Sequence, residues 1–131
     1  MNVDCAMGQD SERTAVLAID ARLEALWEEG GFTEGVAAGP DGLMYFSDFA
    51  QPFGARPARI MKFDPETGET QIHVPDSKMA NGLMFDSQGR LLACAVKKKQ
   101  IVAYQADGSS VPLVENVTSN DLVVGRFIRT A

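Results

Sequence analysis

The chain has 131 residues, 45% apolar and 23% charged, with a formal net charge of −6. This is the composition of one soluble globular domain rather than of a disordered or fibrous chain. The negative balance argues against nucleic acid, whose binders carry a basic stripe.

No apolar run approaches the roughly 18 residues needed to cross a bilayer. No basic start followed by an apolar stretch marks a secretory signal. The expectation is a cytoplasmic protein with no membrane contact. Two cysteines, Cys5 and Cys94, are too few for a disulfide framework and suit a reducing compartment.

The charge is concentrated at one end. Residues 1–30 hold seven acids and two bases; residues 31–131 hold eleven acids and ten bases. An acidic extension over residues 1–20 is therefore expected, followed by a nearly neutral body over 21–131. Such a leader is ordinarily a solvated segment. Residues 12–29 carry a helical stripe at Ile19, Leu23, Leu26 and Trp27, with Ser11 as a cap and Gly30-Gly31 as a stop.

From Phe32 the pattern changes to short apolar runs: Leu43–Phe46, Ile60–Phe63, Gln71–Val74, Gly82–Phe85, Leu91–Val96, Ile101–Tyr104 and Val111–Val114. Turn sequences separate them, at Pro40-Asp41-Gly42, Asp64 to Gly68, Ser87-Gln88-Gly89 and Asp107-Gly108. Each places a glycine where a positive φ is needed. Evenly spaced strands of this kind predict an all-β sandwich, barrel or propeller.

A repeat chooses among these. Glu34 to Tyr45 aligns with Asn81 to Leu92 at an offset of 47, and Ile60 to Asp64 aligns with Ile101 to Gln105 at an offset of 41. The longer connection in the first copy, Phe49 to Ala58, accounts for the difference. A third copy begins at Asn120-Asp121-Leu122-Val123-Val124 and stops. Four strands per repeat is the size of a propeller blade. The prediction is a β-propeller of about two blades plus the first strand of a third.

Gly31 to Gly35, followed by Pro40 to Asp48, resembles the first blade of the gluconolactonase, senescence marker protein and luciferin-regenerating enzyme family. Phe63 to Gly68, Asn81 to Asp86 and Gly89 to Leu92 are similar to its following strands, and Ser119 to Val124 to the opening of its third blade. The resemblance covers residues 21–124. It implies a six-bladed ring, hydrolysis of a sugar lactone, and one divalent metal at the channel mouth, calcium or else zinc, manganese or magnesium. It also implies that Arg22 to Trp27 is an extended strand, against the helical stripe.

Site residues follow from the same resemblance. Glu34 matches a metal ligand; the plain alternative is a solvated acid at a strand start. Asn120 matches an asparagine that helps bind metal or substrate, with Asp121 beside it; the alternative is an Asn-Asp turn. The family's proline before that asparagine is absent, the sequence being Thr118-Ser119-Asn120. Asn81 opens an innermost strand at the same mouth and either touches substrate or caps a turn. Because strands alternate in direction, the Phe49–Ala58 connection lies on the mouth side, as a lid or as a plain insertion.

Other chemistry is poorly represented. His73 is the single histidine and falls in an outer strand, which excludes a Ser-His-Asp triad. No zinc spacing and no phosphate-binding glycine loop occur. Lys97-Lys98-Lys99 reads as a solvated turn.

A six-bladed ring needs roughly 270 residues at about 45 per blade. The family's catalytic base and remaining ligands lie in blades this sequence does not contain, so no catalytic residue is assigned and a truncated, inactive chain is expected. Two other outcomes stay open: a non-catalytic binding module, and a homo-oligomer in which three two-blade copies complete one ring.

Overall fold

A computed structural model describes residues 17–125. The acidic leader is outside the described residues as far as residue 16. Eight strands follow in order: β1 Phe32–Ala38, β2 Met44–Phe49, β3 Arg59–Phe63, β4 Thr70–Val74, β5 Ala80–Phe85, β6 Leu91–Ala95, β7 Gln100–Tyr104 and β8 Ser110–Glu115. They form two four-stranded antiparallel sheets, β1-β2-β3-β4 and β5-β6-β7-β8, each with sequence neighbours as spatial neighbours. The all-β expectation is met, and the repeat maps one sheet onto the other. Among the described residues no helix is long and apolar enough to cross a membrane.

The turns form where their glycines allow. Gly42, Gly68, Gly89 and Gly108 all have φ between 75° and 84°, a region open to glycine at no steric cost. Asp41, Asp64, Asp86 and Asp107 each accept a backbone N–H two residues on, closing the Asx turns. Lys97 and Lys98 lie in a single 3-10 turn, Val96–Lys98, ending at left-handed Lys99.

The sheets pack face to face, with β1 against β5. The core lies between them: Ala37, Tyr45, Ile60 and Val74 from the first sheet meet Leu83, Leu91, Ala93, Val102 and Tyr104 from the second. Tyr45 stands edge-on to both Phe85 and His73, each ring centre 5.1 Å away. Its hydroxyl donates to Asp41 Oδ2 at 2.7 Å. Burial, aided by the Asp41 carboxylate, pushes the Tyr45 phenol up to about 12.

Two expected strands are not formed. Residues 22–27 are neither strand nor helix, and residues 120–125 have no regular structure. A strand exists only where a neighbour takes its backbone hydrogen bonds. Neither segment finds such a neighbour among the described residues. Leu23 and Leu26 are exposed, so the apolar stripe of this segment finds no surface to bury against. Trp27 alone is anchored, its ring 5.3 Å from that of Phe46.

His73 gives a test of this packing. Burial first, and then the Lys62 ammonium, lower its pKa below the ordinary 6.5, while Asp41 opposes them. The folded protein therefore binds this proton less readily than the unfolded chain. The stabilisation is complete above pH 6.5 and is lost as pH falls through the folded value. The carboxylates with lowered pKa, Asp76, Asp86 and Asp107, act only lower, below the ordinary 3.8 of Asp. Thermal melting temperature is expected to drop as pH falls below 6.5, and His73→Phe is expected to flatten that limb. An unchanged limb in the variant refutes the assignment.

Candidate functional site

One end of the sheet pair gathers the start of β1, the end of β2, the start of β3 and the start of β5. Glu34 pairs with Ser47 across β1 and β2. The register shifts between Glu34 and Ala37, and again at the matching place between Ala80 and Leu83 in β5. These are β-bulges, which re-aim side chains at strand ends. Gly35 sits in the first with φ +63°, and a Cβ there would run into the Asn81 carbonyl oxygen. Only glycine allows so close an approach of β1 to β5.

The same approach recurs one step on. A Cβ on Gly82 would meet Asp121, and the Gly82 N–H donates to the Asn120 carbonyl at 2.8 Å. Ser47 Oγ donates to the Asn81 carbonyl at 2.8 Å. Glu34, Asn81 and Asn120 thus occupy corresponding positions on three segments laid side by side at one end. The structure brings these three together in backbone position. Asp121 follows Asn120, and its Oδ1 accepts the Leu122 N–H at 2.8 Å.

Asp48, at the end of β2, is the feature that reading the sequence missed. It is fully buried, with 0% exposure. Its Oδ1 accepts Gly31 N–H at 2.9 Å, and its Oδ2 accepts Arg56 at 2.6 Å and Arg59 Nε at 2.8 Å. Arg59 also closes a second contact to Oδ2 at 2.7 Å. A buried carboxylate needs such partners. The signal was available: Arg56 and Arg59 flank Pro57 at the end of a connection that begins beside an aspartate, but sequence spacing does not say which acid the arginines reach.

The clamp fixes residues 50–58 over the mouth side, where strand alternation places them. Phe53 stands edge-on to Phe32 at 5.9 Å and to Phe49 at 6.1 Å. On the outer side of β1, Glu34 lines a cleft of about 330 Å³ with Trp27, Thr33, Val36 and Phe46.

Calcium takes six to eight oxygen ligands. Among the described residues no three His, Cys, Asp or Glu side chains group to hold a metal. Glu34 offers one carboxylate, and Asn81 and Asn120 offer amides. Together these three offer fewer oxygens than calcium takes. Cys94 is buried behind Ser119, where burial pushes its thiol up, so it is a poor ligand.

The two stacked four-stranded meanders match part of the structures of gluconolactonases. Over 77% of this chain, the structure matches a gluconolactonase from Xanthomonas campestris, described as important in glucose secondary metabolic pathways, with a TM-score of 0.66 and 26% identity. It matches over the same share a structural-genomics target provisionally named a gluconolactonase, with a TM-score of 0.63. At 21% identity the second shows the fold alone. The chain spans about a third of the length of these structures, 34% and 35%. No family model matches, and no curated protein matches. The resemblance read from the sequence is thus present in the structure.

The clamp can be tested by removing one arginine at a time. Arg59, 21% exposed against 32% for Arg56, is the less replaceable by water. Arg59→Ala is expected to cost about 2 kcal/mol, and Arg56→Ala less. Both are expected to expose residues 50–58 to proteolysis, read by urea unfolding and by the cleavage pattern. Equal stability in all three proteins would show that the clamp holds nothing.

Proposed function

We propose that the two sheets are adjacent blades of a six-bladed propeller, and that the mouth carrying Glu34 is part of a metal-dependent lactonase site. The observation that carries this reading is the placement of Glu34, Asn81 and Asn120 at one end of successive inner segments. It is supported by a structural match to a gluconolactonase at 26% identity.

In this reading Glu34 supplies a carboxylate ligand and Asn120 an amide oxygen to a divalent cation, calcium in the first instance. Asn81 and Asn120 donate to the hydroxyls of a small lactone. Asp121 sets the turn that presents Asn120. A hard dication at such a mouth polarises a lactone carbonyl and stabilises the oxyanion formed when water adds. None of the described residues is assigned as the general base, and the product is the hydroxy acid. The clamped 50–58 connection forms one wall, with Phe53 as an apolar face for the lactone ring.

Trp27 is the single tryptophan and lines the same cleft as Glu34, so its fluorescence reports on that site. Calcium is expected to change it saturably. Glu34→Gln is expected to abolish the change, and Glu69→Gln, on β4's approach, to leave it intact. With calcium bound, gluconolactone hydrolysis followed by base uptake is expected to exceed the buffer rate. A chain whose fluorescence and hydrolysis both ignore calcium overturns the reading in favour of a non-catalytic module.

A further inference from the structure

A second cleft lies between the two sheets, at the end opposite Glu34. The β1–β2, β5–β6 and β7–β8 turns surround it, and its volume is about 320 Å³. That is the size of a small-molecule site. It shares no lining residue with the cleft of Glu34 and Trp27. The sheets close on each other at its flanks. A Cβ added to Gly89 would touch Pro40 Cγ at 3.5 Å, and one added to Gly108 the His73 carbonyl at 3.6 Å.

The floor is apolar and sealed. Tyr45, Leu91 and Tyr104 are each 7% exposed or less, and Phe85 forms part of the wall. Both phenols are already engaged. Tyr45 donates to Asp41, and the Tyr104 hydroxyl donates to the Ser77 carbonyl at 3.0 Å. The charge in the cleft comes from Asp41 and Lys62, with His73 beside them.

These two charges are opposite and are not spent on each other. Among the described residues Lys62 forms no salt bridge, although it also borders Asp64 and Glu69 on its other side. Asp41 accepts Leu43 N–H at 3.1 Å on Oδ1 and the Tyr45 hydroxyl at 2.7 Å on Oδ2. A carboxylate has about four acceptor positions, so Asp41 keeps acceptor capacity, and no cation pairs with it among the described residues. His73 feels both groups: burial first, then the Lys62 ammonium, hold its pKa below 6.5, and Asp41 opposes them. At neutral pH its ring is therefore uncharged, with one donor and one acceptor nitrogen.

We propose that this cleft binds a small zwitterion, an α-amino acid with an apolar side chain, its carboxylate on Lys62, its ammonium on Asp41 and its side chain on the aromatic floor. A ligand of one sign fits less well. An anion alone is repelled by Asp41 and a cation alone by Lys62, and each leaves one charge of the cleft without a partner. A zwitterion answers both, through charge-assisted hydrogen bonds, which are the stronger kind. Its apolar part removes the floor formed by Tyr45, Leu91 and Tyr104 from water.

His73 is the single histidine, so its ring Cε1–H signal in proton NMR reports on this cleft in the full, unaltered chain. L-phenylalanine is the probe, and it is expected to move that signal saturably. Phenylpropionate lacks the ammonium and phenethylamine lacks the carboxylate. Each is expected to bind about tenfold more weakly, since each forfeits one charge-assisted contact. Asp41→Asn is expected to weaken L-phenylalanine and not phenylpropionate; Lys62→Met is expected to weaken L-phenylalanine and not phenethylamine. Circular dichroism checks that both variants fold, and the comparison of the three probes on the unaltered chain decides the matter where one does not. Trp27 fluorescence, which reports on the other cleft, is expected to stay unchanged. A His73 signal that ignores L-phenylalanine overturns the proposal. So does phenylpropionate or phenethylamine binding as tightly as L-phenylalanine, which makes the cleft a plain anion, cation or apolar site. A Trp27 response in step with that of His73 overturns it as well, by placing the probe at Glu34.

Discussion

The approach of β1 to β5 at Gly35 and Asn81 governs the remainder of the molecule. Two sheets ordinarily pack about 10 Å apart, their separation set by side chains. Here the inner strands come together at a point where one carries no Cβ and a left-handed backbone. Elsewhere Tyr45, Phe85 and His73 hold the sheets further apart. The close approach at Gly35 and the aromatic packing around Tyr45 together fix how the two sheets lie against each other.

The same constraint explains why candidate ligands come from different repeats. Each of the three segments meets its neighbour at this end, and each contributes one polar residue there: Glu34, Asn81, Asn120. The bulges between Glu34 and Ala37 and between Ala80 and Leu83 sit beside these residues. They interrupt the ladder where backbone groups are wanted for the neighbouring segment, as when Gly82 N–H serves Asn120. Asp48 does the corresponding work at the edge of the mouth, drawing Gly31, Arg56 and Arg59 onto one carboxylate.

Strand positions were legible because period-2 runs and Asp-Gly turns are local signals, and residues 32–115 contain both throughout. The repeat made the correspondence of the two sheets legible as well. What the sequence did not show is whatever depends on a partner distant in the chain. Arg22 to Trp27 was expected to be a strand from the resemblance, against its helical stripe, and Asn120 to Val124 as the start of a third repeat; a strand is a property of a pair, and neither segment pairs among the described residues. The Asp48 clamp was hidden for a related reason: its arginines are 8 and 11 residues away, within a connection whose path no pattern fixes. Of the site residues, Glu34 and Asn120 were named from the family resemblance and Asn81 from its place at the start of an inner strand, while strand alternation placed only the Phe49–Ala58 connection.

The meander order has a kinetic consequence. Each strand pairs with the one just before it, so each sheet closes loops of only a few residues, the longest being 50–58. Low contact order of this kind favours fast folding even in an all-β protein, because little loop entropy is lost before pairing begins. A sheet of this protein can form as soon as its own four strands have been synthesised, without waiting for a distant segment. Its stability then grows by addition of like neighbours, as in other repeat arrays, and the order of addition follows the order of translation.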